Sequence, residues 1–180
     1  MKLKNLLILP VILVLGACST TYTPKTDQSS SYDFSSVRTF NVMGDSTPRH
    51  SAVSDINRER IDTAVVNTLT EHGKQIGDET SADVLVSYFV VTKDKMRVNT
   101  VNSAYNGRYR MAGYSGIAHV STHNYVEGTL VIDVIDNDSK KSVWRSILTK
   151  PIKNYKTPAE REQVIDNAIK AAFESFPSDQ

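Results

Sequence analysis

Two histidines four residues apart, His119 and His123, have the spacing of a metal site if the segment that carries them is helical, because residues at that spacing share one helix face. The surrounding residues are rich in Gly, Ser and Thr, and no carboxylate stands at ligand spacing from either imidazole. We therefore expect both histidines to be exposed in a loop. The sequence predicts no metal site and no other cofactor.

The sequence also offers no recognisable catalytic motif. The stretch GYSGI at 113–117 matches only loosely the G-x-S-x-G turn of serine hydrolases, which lies between a strand and a helix. Asp136 and Asp138 lack the further oxygen ligands and the bidentate Glu of a calcium loop, and residues of this type commonly form turns. We expect a protein that is not an enzyme.

The only cysteine, Cys18, follows an apolar run at residues 6–16 that two lysines precede. As a helix the run would span roughly 16 Å, against about 30 Å for the hydrocarbon core of a bilayer. The pattern is typical of a secretory signal peptide. LGAC at 15–18 resembles the lipobox of bacterial lipoproteins, in which the cysteine thiol is acylated and becomes the new N-terminus.

This resemblance implies that the protein contacts a lipid bilayer through acylated Cys18. Ser19 stands where an Asp would favour retention in the inner membrane, so the resemblance implies a lipid-anchored protein of the outer membrane that faces the periplasm or the cell surface. The alternative is a plain secretory signal with an incidental cysteine.

Composition shifts divide the chain into segments. We expect a signal peptide at 1–17 and a lipidated N-terminus with a flexible tether at 18–31, where the residues are polar and aperiodic. One α+β domain is expected at 32–177, with a Gly/Tyr-rich insertion at about 99–123, and a disordered tail at 178–180.

Hydrophobic periodicity predicts the elements of this domain. Apolar residues recur at helical spacing before Gly73, a typical helix stop, and Thr157, Pro158 and Glu160 form a capping pattern for a last helix. The predicted elements are a strand at 36–43, a helix at 54–72, strands at 82–92, 126–136 and 143–152, and a helix from Thr157 to Pro177.

This order, β-α-β-β-β-α, predicts an α+β fold with a mixed, mostly antiparallel sheet and two helices packed on it. The last two strands form a hairpin across a polar turn. Asp133, in the middle of the first of them, is expected to be exposed or to pair with a lysine.

Positive charge is concentrated in two segments. Residues 93–125 contain five basic residues and one acidic residue, and 140–156 contain six basic residues and no acidic one, whereas the mature chain as a whole is close to neutral. Such asymmetry indicates an anionic partner, and interleaved tyrosines add stacking surface. The predicted partner-binding residues are Arg97, Arg108, Tyr109, Arg110, Tyr114 and Arg145.

Four stretches in this order resemble the domain-of-unknown-function family 4136 of bacterial lipoproteins. The resemblance covers most of 32–177 and implies an exported α+β lipoprotein without a known catalytic residue. Members often carry a glycine shortly after the tryptophan, where this chain has Ser146. The stretches are YDFSSVRTF, ADVLVSYFV, YVEGTLVIDVIDNDSKKSVWRS and FESFP.

Two functions of different class follow. The first is a non-enzymatic binding or accessory module of the envelope, which recognises an envelope protein or an anionic envelope polymer with its basic surface. The second is a purely structural or stress-related surface lipoprotein without a dedicated ligand; a hydrolase is a distant third. Export excludes nucleic acid as a partner.

Overall fold

The computed structural model describes residues 22–43, 53–102 and 118–177. Within these ranges two α-helices pack on a six-stranded mixed sheet, which confirms the predicted α+β class. The elements are β1 (Lys25–Gln28), a 3-10 helix (Phe34–Ser36), β2 (Thr39–Val42), α1 (Asp55–Glu71), β3 (Gln75–Ile76), β4 (Val84–Asn102), β5 (Ala118–Asp136), β6 (Ser142–Pro151) and α2 (Pro158–Phe173).

The strands lie in the order β1-β6-β5-β4-β2-β3. β4 and β5 pair antiparallel along all 19 residues of each strand, and β6 and β1 continue the sheet antiparallel on one side. On the other side β2 lies parallel to β4, and β3 lies parallel to β2. The six predicted elements are present in the predicted order, and β1 and β3 are short edge strands that we did not predict.

Both helices cover the same face of the sheet. Alternate side chains of the central strands point to that face, where they are buried together with apolar residues of α1 and α2. The Tyr88 hydroxyl crosses between the layers and donates to Asp62 Oδ1 at 2.6 Å. Trp144, Phe173 and Phe176 form an aromatic cluster at one end of this core. The sheet residues of the core include Phe40, Val84, Val86, Tyr88, Ile132, Val134 and Trp144, and the helix residues include Ile61, Val65, Leu69, Ile169 and Phe173.

The end of α1 is fixed by its local sequence. His72 is the C-cap residue, and Gly73 follows with a φ of +81°, as expected for the predicted helix stop. In this left-handed region a Cβ is unfavourable, so glycine is the suitable residue.

The start of α2 is fixed in the same way. The N–H of Glu160 donates to Thr157 Oγ1 at 3.1 Å, and Pro158 is the first helical residue, both as predicted. The carboxylate of Glu160 accepts from the N–H of Lys156 at 3.0 Å, so the reciprocal bond reaches one residue further back than in the standard capping box.

Part of the expected tether belongs to the sheet. We predicted a flexible segment over 18–31, but Lys25–Gln28 pairs with residues 144–147 of β6. The tether prediction is therefore wrong for this segment. All four side chains of β1 are exposed, so the strand depends on backbone pairing with β6 and leaves no hydrophobic pattern in the sequence.

β4 and β5 are also longer than predicted. We expected an insertion at about 99–123 with both histidines in a loop, but β4 continues to Asn102 and β5 begins at Ala118. His119 and His123 consequently lie in a strand, and the side chain of His123 is exposed. Residues 103–117 lie outside the described residues, as do 1–21 and 178–180.

The turn between β5 and β6 has the expected chemistry. Asp136 Oδ2 accepts the N–H of Ser139 at 2.8 Å, so Asp136 organises the turn. The hydroxyl of Ser139 is the main cause of the lowered pKa of the Asp136 carboxyl, although burial acts in the opposite direction.

Candidate functional site

The β4–β5 hairpin extends beyond the rest of the sheet. β6 ends at Pro151, opposite Glu127, and β2 pairs with β4 only at residues 84–86. We call the remainder the hairpin arm: residues 93–102 of β4 and 118–127 of β5, about 30 Å long at 3.3 Å per residue. No described strand pairs with the outer edges of the arm beyond this point, so both edges present backbone hydrogen-bonding groups.

One face of the arm combines cations with aromatic rings. The guanidinium carbon of Arg97 lies 5.7 Å from the centre of the Tyr125 ring, and Arg97 stands directly opposite His123. Lys95 Nζ lies 3.5 Å from Glu127 Oε1, so part of the charge on this face is compensated. The basic face of the arm comprises Lys93, Lys95, Arg97, His123 and Tyr125.

The basic face contains an open cavity with a volume of about 350 Å³. A guanidinium fork binds carboxylates and phosphates through two parallel hydrogen bonds, and a tyrosine beside it offers a flat surface for stacking. This arrangement can hold an anionic group next to a planar or apolar one. The cavity is lined by Arg97, Asn99, His123, Tyr125 and Pro151.

The opposite face of the arm exposes apolar side chains, interrupted by Asp94 opposite Val126. Met96 and Val126 are 65% and 39% exposed, and Val98 follows on the same side of β4. Because side chains alternate along a strand, this face continues the face that the helices cover elsewhere in the sheet. We call it the apolar face of the arm.

Arg145, one of the predicted binding residues, is engaged within the sheet. Its Nε and Nη2 donate to Oδ1 and Oδ2 of Asp133 at 2.6 and 2.9 Å, and Ser142 Oγ donates to the same carboxylate at 2.9 Å. The hydrogen bonding of Arg145 to the Asp133 carboxylate is the main cause of the raised pKa of Arg145. Asp133 is buried and pairs with an arginine, so our expectation of exposure or a lysine partner is wrong.

The predicted binding residues do not form one described cluster. Arg97 and Arg145 share a face of the sheet, but their partners on β5, His123 and Asp133, are ten residues apart, which corresponds to roughly 33 Å. Arg108, Tyr109, Arg110 and Tyr114 lie outside the described residues, as does Cys18.

The second basic segment, 140–156, is also divided. Lys140 and Lys141 lie in or beside the β5–β6 turn, whereas Lys150 lies near the far end of β6 and Lys153 and Lys156 follow that strand. The charge asymmetry of the sequence therefore corresponds to separate basic surfaces at the two ends of β6.

Sequence reasoning missed the contribution of His123 and Tyr125 to the basic face. The signal was the alternation of Lys93, Lys95 and Arg97, which is strand-like but carries no apolar residue on that side. An alternation of charged residues alone does not identify the partner strand. Here the partner residues, including His123 and Tyr125, lie some thirty residues further along the chain.

Two further observations concern the described residues alone. They contain no cluster of three or more His, Cys, Asp or Glu side chains positioned to hold a metal ion. None of their helices has both the length and the apolar character needed to span a bilayer.

The fold and the arm define a class: an α+β domain with a helix-covered sheet and a protruding two-stranded hairpin. The chain belongs to the DUF4136 family, a domain of unknown function, whose family model matches residues 24–178. That match begins one residue before β1. No curated protein sequence matches the chain.

Several solved structures are similar to this one at low sequence identity. A PDZ domain protein from Parabacteroides distasonis is 13% identical with a TM-score of 0.52; the match covers 87% of this chain but only 36% of that protein. A PelC dodecamer from Paraburkholderia phytofirmans is 14% identical with a TM-score of 0.48, covering 89% and 100% of the two chains. A minor lipoprotein from Acinetobacter baumannii is 11% identical with a TM-score of 0.34, covering 75% and 84%. At 13% identity, the similarity to the PDZ domain protein concerns the fold alone.

Proposed function

We propose that this protein is a non-enzymatic binding or accessory module of the bacterial cell envelope that recognises its partner with the hairpin arm. The observation that carries the proposal is the basic face of the arm, where Arg97, His123 and Tyr125 lie together around an open cavity. The basic face lies on the side of the sheet that the helices do not cover, so this surface is accessible without rearrangement of the core.

The proposed location depends on Cys18. The LGAC pattern supports acylation of its thiol, and Ser19 supports the outer membrane as the destination. Two or three acyl chains bind a bilayer far more stably than one, because each buried CH₂ contributes about 0.8 kcal/mol. A protein held in this way meets envelope partners without needing high affinity for them.

The chemistry of the basic face limits the class of partner. Lys95 is compensated by Glu127 and Arg145 by Asp133, whereas Lys93 and Arg97 have no carboxylate partner among the described residues. We propose an anionic partner, either an envelope protein with an acidic surface or an envelope polymer with carboxylate or phosphate groups. Arg97 would bind the anionic group and Tyr125 would stack beside it.

Crosslinking in intact cells tests this proposal. A photoreactive residue at Asn99, which lines the cavity, should capture a partner, and Arg97→Glu should lower the yield at least about tenfold through loss of a charge-assisted contact. Lys141→Glu is the matched control, because it makes the same charge change at an exposed site at the other end of the sheet. Equal yields from both variants would contradict the proposal and favour a structural lipoprotein without a dedicated ligand.

A further inference from the structure

The N-terminal segment is docked on the domain from Tyr22 onward. Lys150 Nζ lies 3.6 Å from the centre of the Tyr22 ring, and the Tyr22 hydroxyl donates to the carbonyl oxygen of Val164 in α2 at 3.3 Å. Burial raises the pKa of Tyr22, with a smaller contribution from nearby Tyr155. β1 begins three residues later. The chain therefore leaves the folded domain at one defined point.

That point lies close to the proposed anchor. Tyr22 follows Cys18 by four residues, and a fully extended chain of that length spans at most about 14 Å. A domain attached in this way cannot turn freely above the membrane, because the surface around Tyr22 must stay within that distance of the acylated thioether.

The surface around Tyr22 has the composition of a membrane interface. Residues 150–156, KPIKNYK, contain three lysines, an isoleucine and a tyrosine but no acidic residue. Two acidic side chains border this segment: Glu160 accepts the N–H of Lys156, and Glu127 stands opposite Pro151 but pairs with Lys95. Lysines with apolar and aromatic neighbours are typical of segments that lie at headgroup depth.

Apolar residues continue this surface onto the arm. Ile152 is 49% exposed and lies over Gly128, where a Cβ would meet its Cγ1 at 3.0 Å. The N–H of Ile152 donates to the carbonyl oxygen of Val126 at 2.8 Å, and Val126 and Met96 belong to the apolar face of the arm. The exposed apolar residues and the lysines thus lie side by side, next to the point where the chain leaves toward Cys18.

We propose that this anchor-side surface rests on the headgroups of the anionic leaflet that holds the acyl chains, with Ile152 in contact with the lipid. The anchor-side surface comprises Tyr22, Lys150, Ile152, Lys153 and Lys156. This inference rests on the proposed acylation of Cys18. The bilayer is the occupant because the 14 Å connection places it beside this surface and its anionic headgroups complement the lysines.

The proposal is tested with the full acylated chain in vesicles of phosphatidylethanolamine and anionic phosphatidylglycerol. Because acylation blocks the only native thiol, Ile152→Cys, Asn154→Cys and Ser139→Cys each provide one site for a fluorescent label. A headgroup-linked quencher should quench the labels at 152 and 154 strongly. It should quench the label at 139, in the distant β5–β6 turn, at least about fivefold less. Fivefold corresponds to the roughly 1 kcal/mol of attraction that one lysine near an anionic leaflet contributes.

Charge reversal provides a second readout. Lys153→Glu with Lys156→Glu should reduce quenching at 152, by about fivefold for each cation removed from the leaflet. Lys140→Glu with Lys141→Glu changes the net charge equally but lies at the distant β5–β6 turn, and it should leave quenching at 152 unchanged.

The experiment distinguishes an error in the proposed membrane-facing surface from an error in the proposed acylation of Cys18. Equal quenching at 152 and 139 in material with an acylated N-terminus overturns the membrane-facing surface and leaves the anchor intact. A label at 152 that is shielded in native envelopes but not quenched in protein-free vesicles overturns it in favour of a protein partner. A second label per chain, on Cys18, would instead contradict the proposed acylation.

Discussion

At the scale of single residues, a carboxylate joins two parallel strands where their pairing begins. Asp83 Oδ2 accepts the N–H groups of Arg38 and Thr39 at 2.8 Å each and the Thr39 hydroxyl at 2.9 Å. Burial acts to raise the pKa of Asp83, but these hydrogen bonds together lower it below its usual value. The ionised form therefore stabilises the start of β2 beside β4.

The lowered pKa of Asp83 gives a prediction about pH. Its contribution to stability is fully present above the pKa of the unfolded chain, about 3.9, and is lost as the pH falls through the lower folded value. Asp83→Asn should cost about 1 kcal/mol at neutral pH, because the side chain is exposed and an amide oxygen still accepts. Urea unfolding at pH 7 and pH 3 should show a smaller loss for the variant than for the wild type; equal losses would contradict this role.

Single residues also show where sequence reasoning ends. Thr157 and Pro158 were predictable as a helix start because capping depends on neighbours in the chain. The Arg145–Asp133 pair was not, since it depends on the register of β5 against β6 and on the bulge near Val134. The same residue types in another register would have left Arg145 available for a partner.

At the scale of elements, α1 and β3 are joined by a backbone conformation that only a few residues tolerate. Gly73 has a φ of +81°, its N–H donates to Thr70 O at 2.9 Å, and Lys74 N–H donates to Leu69 O at 3.0 Å. A Cβ on Gly73 would meet no atom within 4 Å. A side chain at this position therefore lowers the free energy of unfolding through its backbone conformation alone, and not through a steric clash.

Gly73→Ala should destabilise the protein by about 1–2 kcal/mol, the cost of placing an L-residue in the left-handed region. Gly73→Asn is the matched comparison, because asparagine tolerates that region better, and it should cost less. Urea unfolding of both variants measures the difference. Equal destabilisation by both variants would contradict this explanation, because it would mean that the new side chains are unfavourable for a reason other than backbone conformation.

Elements with a buried face were predictable and exposed ones were not. α1, α2 and the buried half of β4 carry apolar patterns that lie against a core, and the structure confirms them. β1 has only exposed polar side chains and no hydrophobic period, and the arm has both faces in solvent with only a short apolar alternation at Met96 and Val98. Their strands are set by pairing with residues distant in sequence, which one sequence does not reveal.

At the scale of the whole molecule, the position of β1 determines how far the domain extends toward the membrane. If Lys25–Gln28 pairs with β6 in solution, its amides should exchange with solvent more slowly than those of an unstructured chain. We expect at least about tenfold protection in a peptide covering this segment, as is typical of a short edge strand whose local opening is easier than global unfolding. If mass spectrometry showed exchange at the rate of an unstructured chain, Lys25–Gln28 would belong to a flexible tether after all. The connection between the domain and Cys18 would then be longer.

The aromatic cluster has an optical consequence. Trp144 is the only tryptophan of the chain, it is 1% exposed, and its ring stacks on Phe173 of α2 at 5.2 Å. Its emission therefore reports the opening of this part of the core, including the separation of α2 from β6, as a shift to the red when water reaches the indole. Changes confined to the far part of the arm, distant from Trp144, should leave its emission unchanged, so one fluorescence trace distinguishes loss of the core from rearrangement of the basic face.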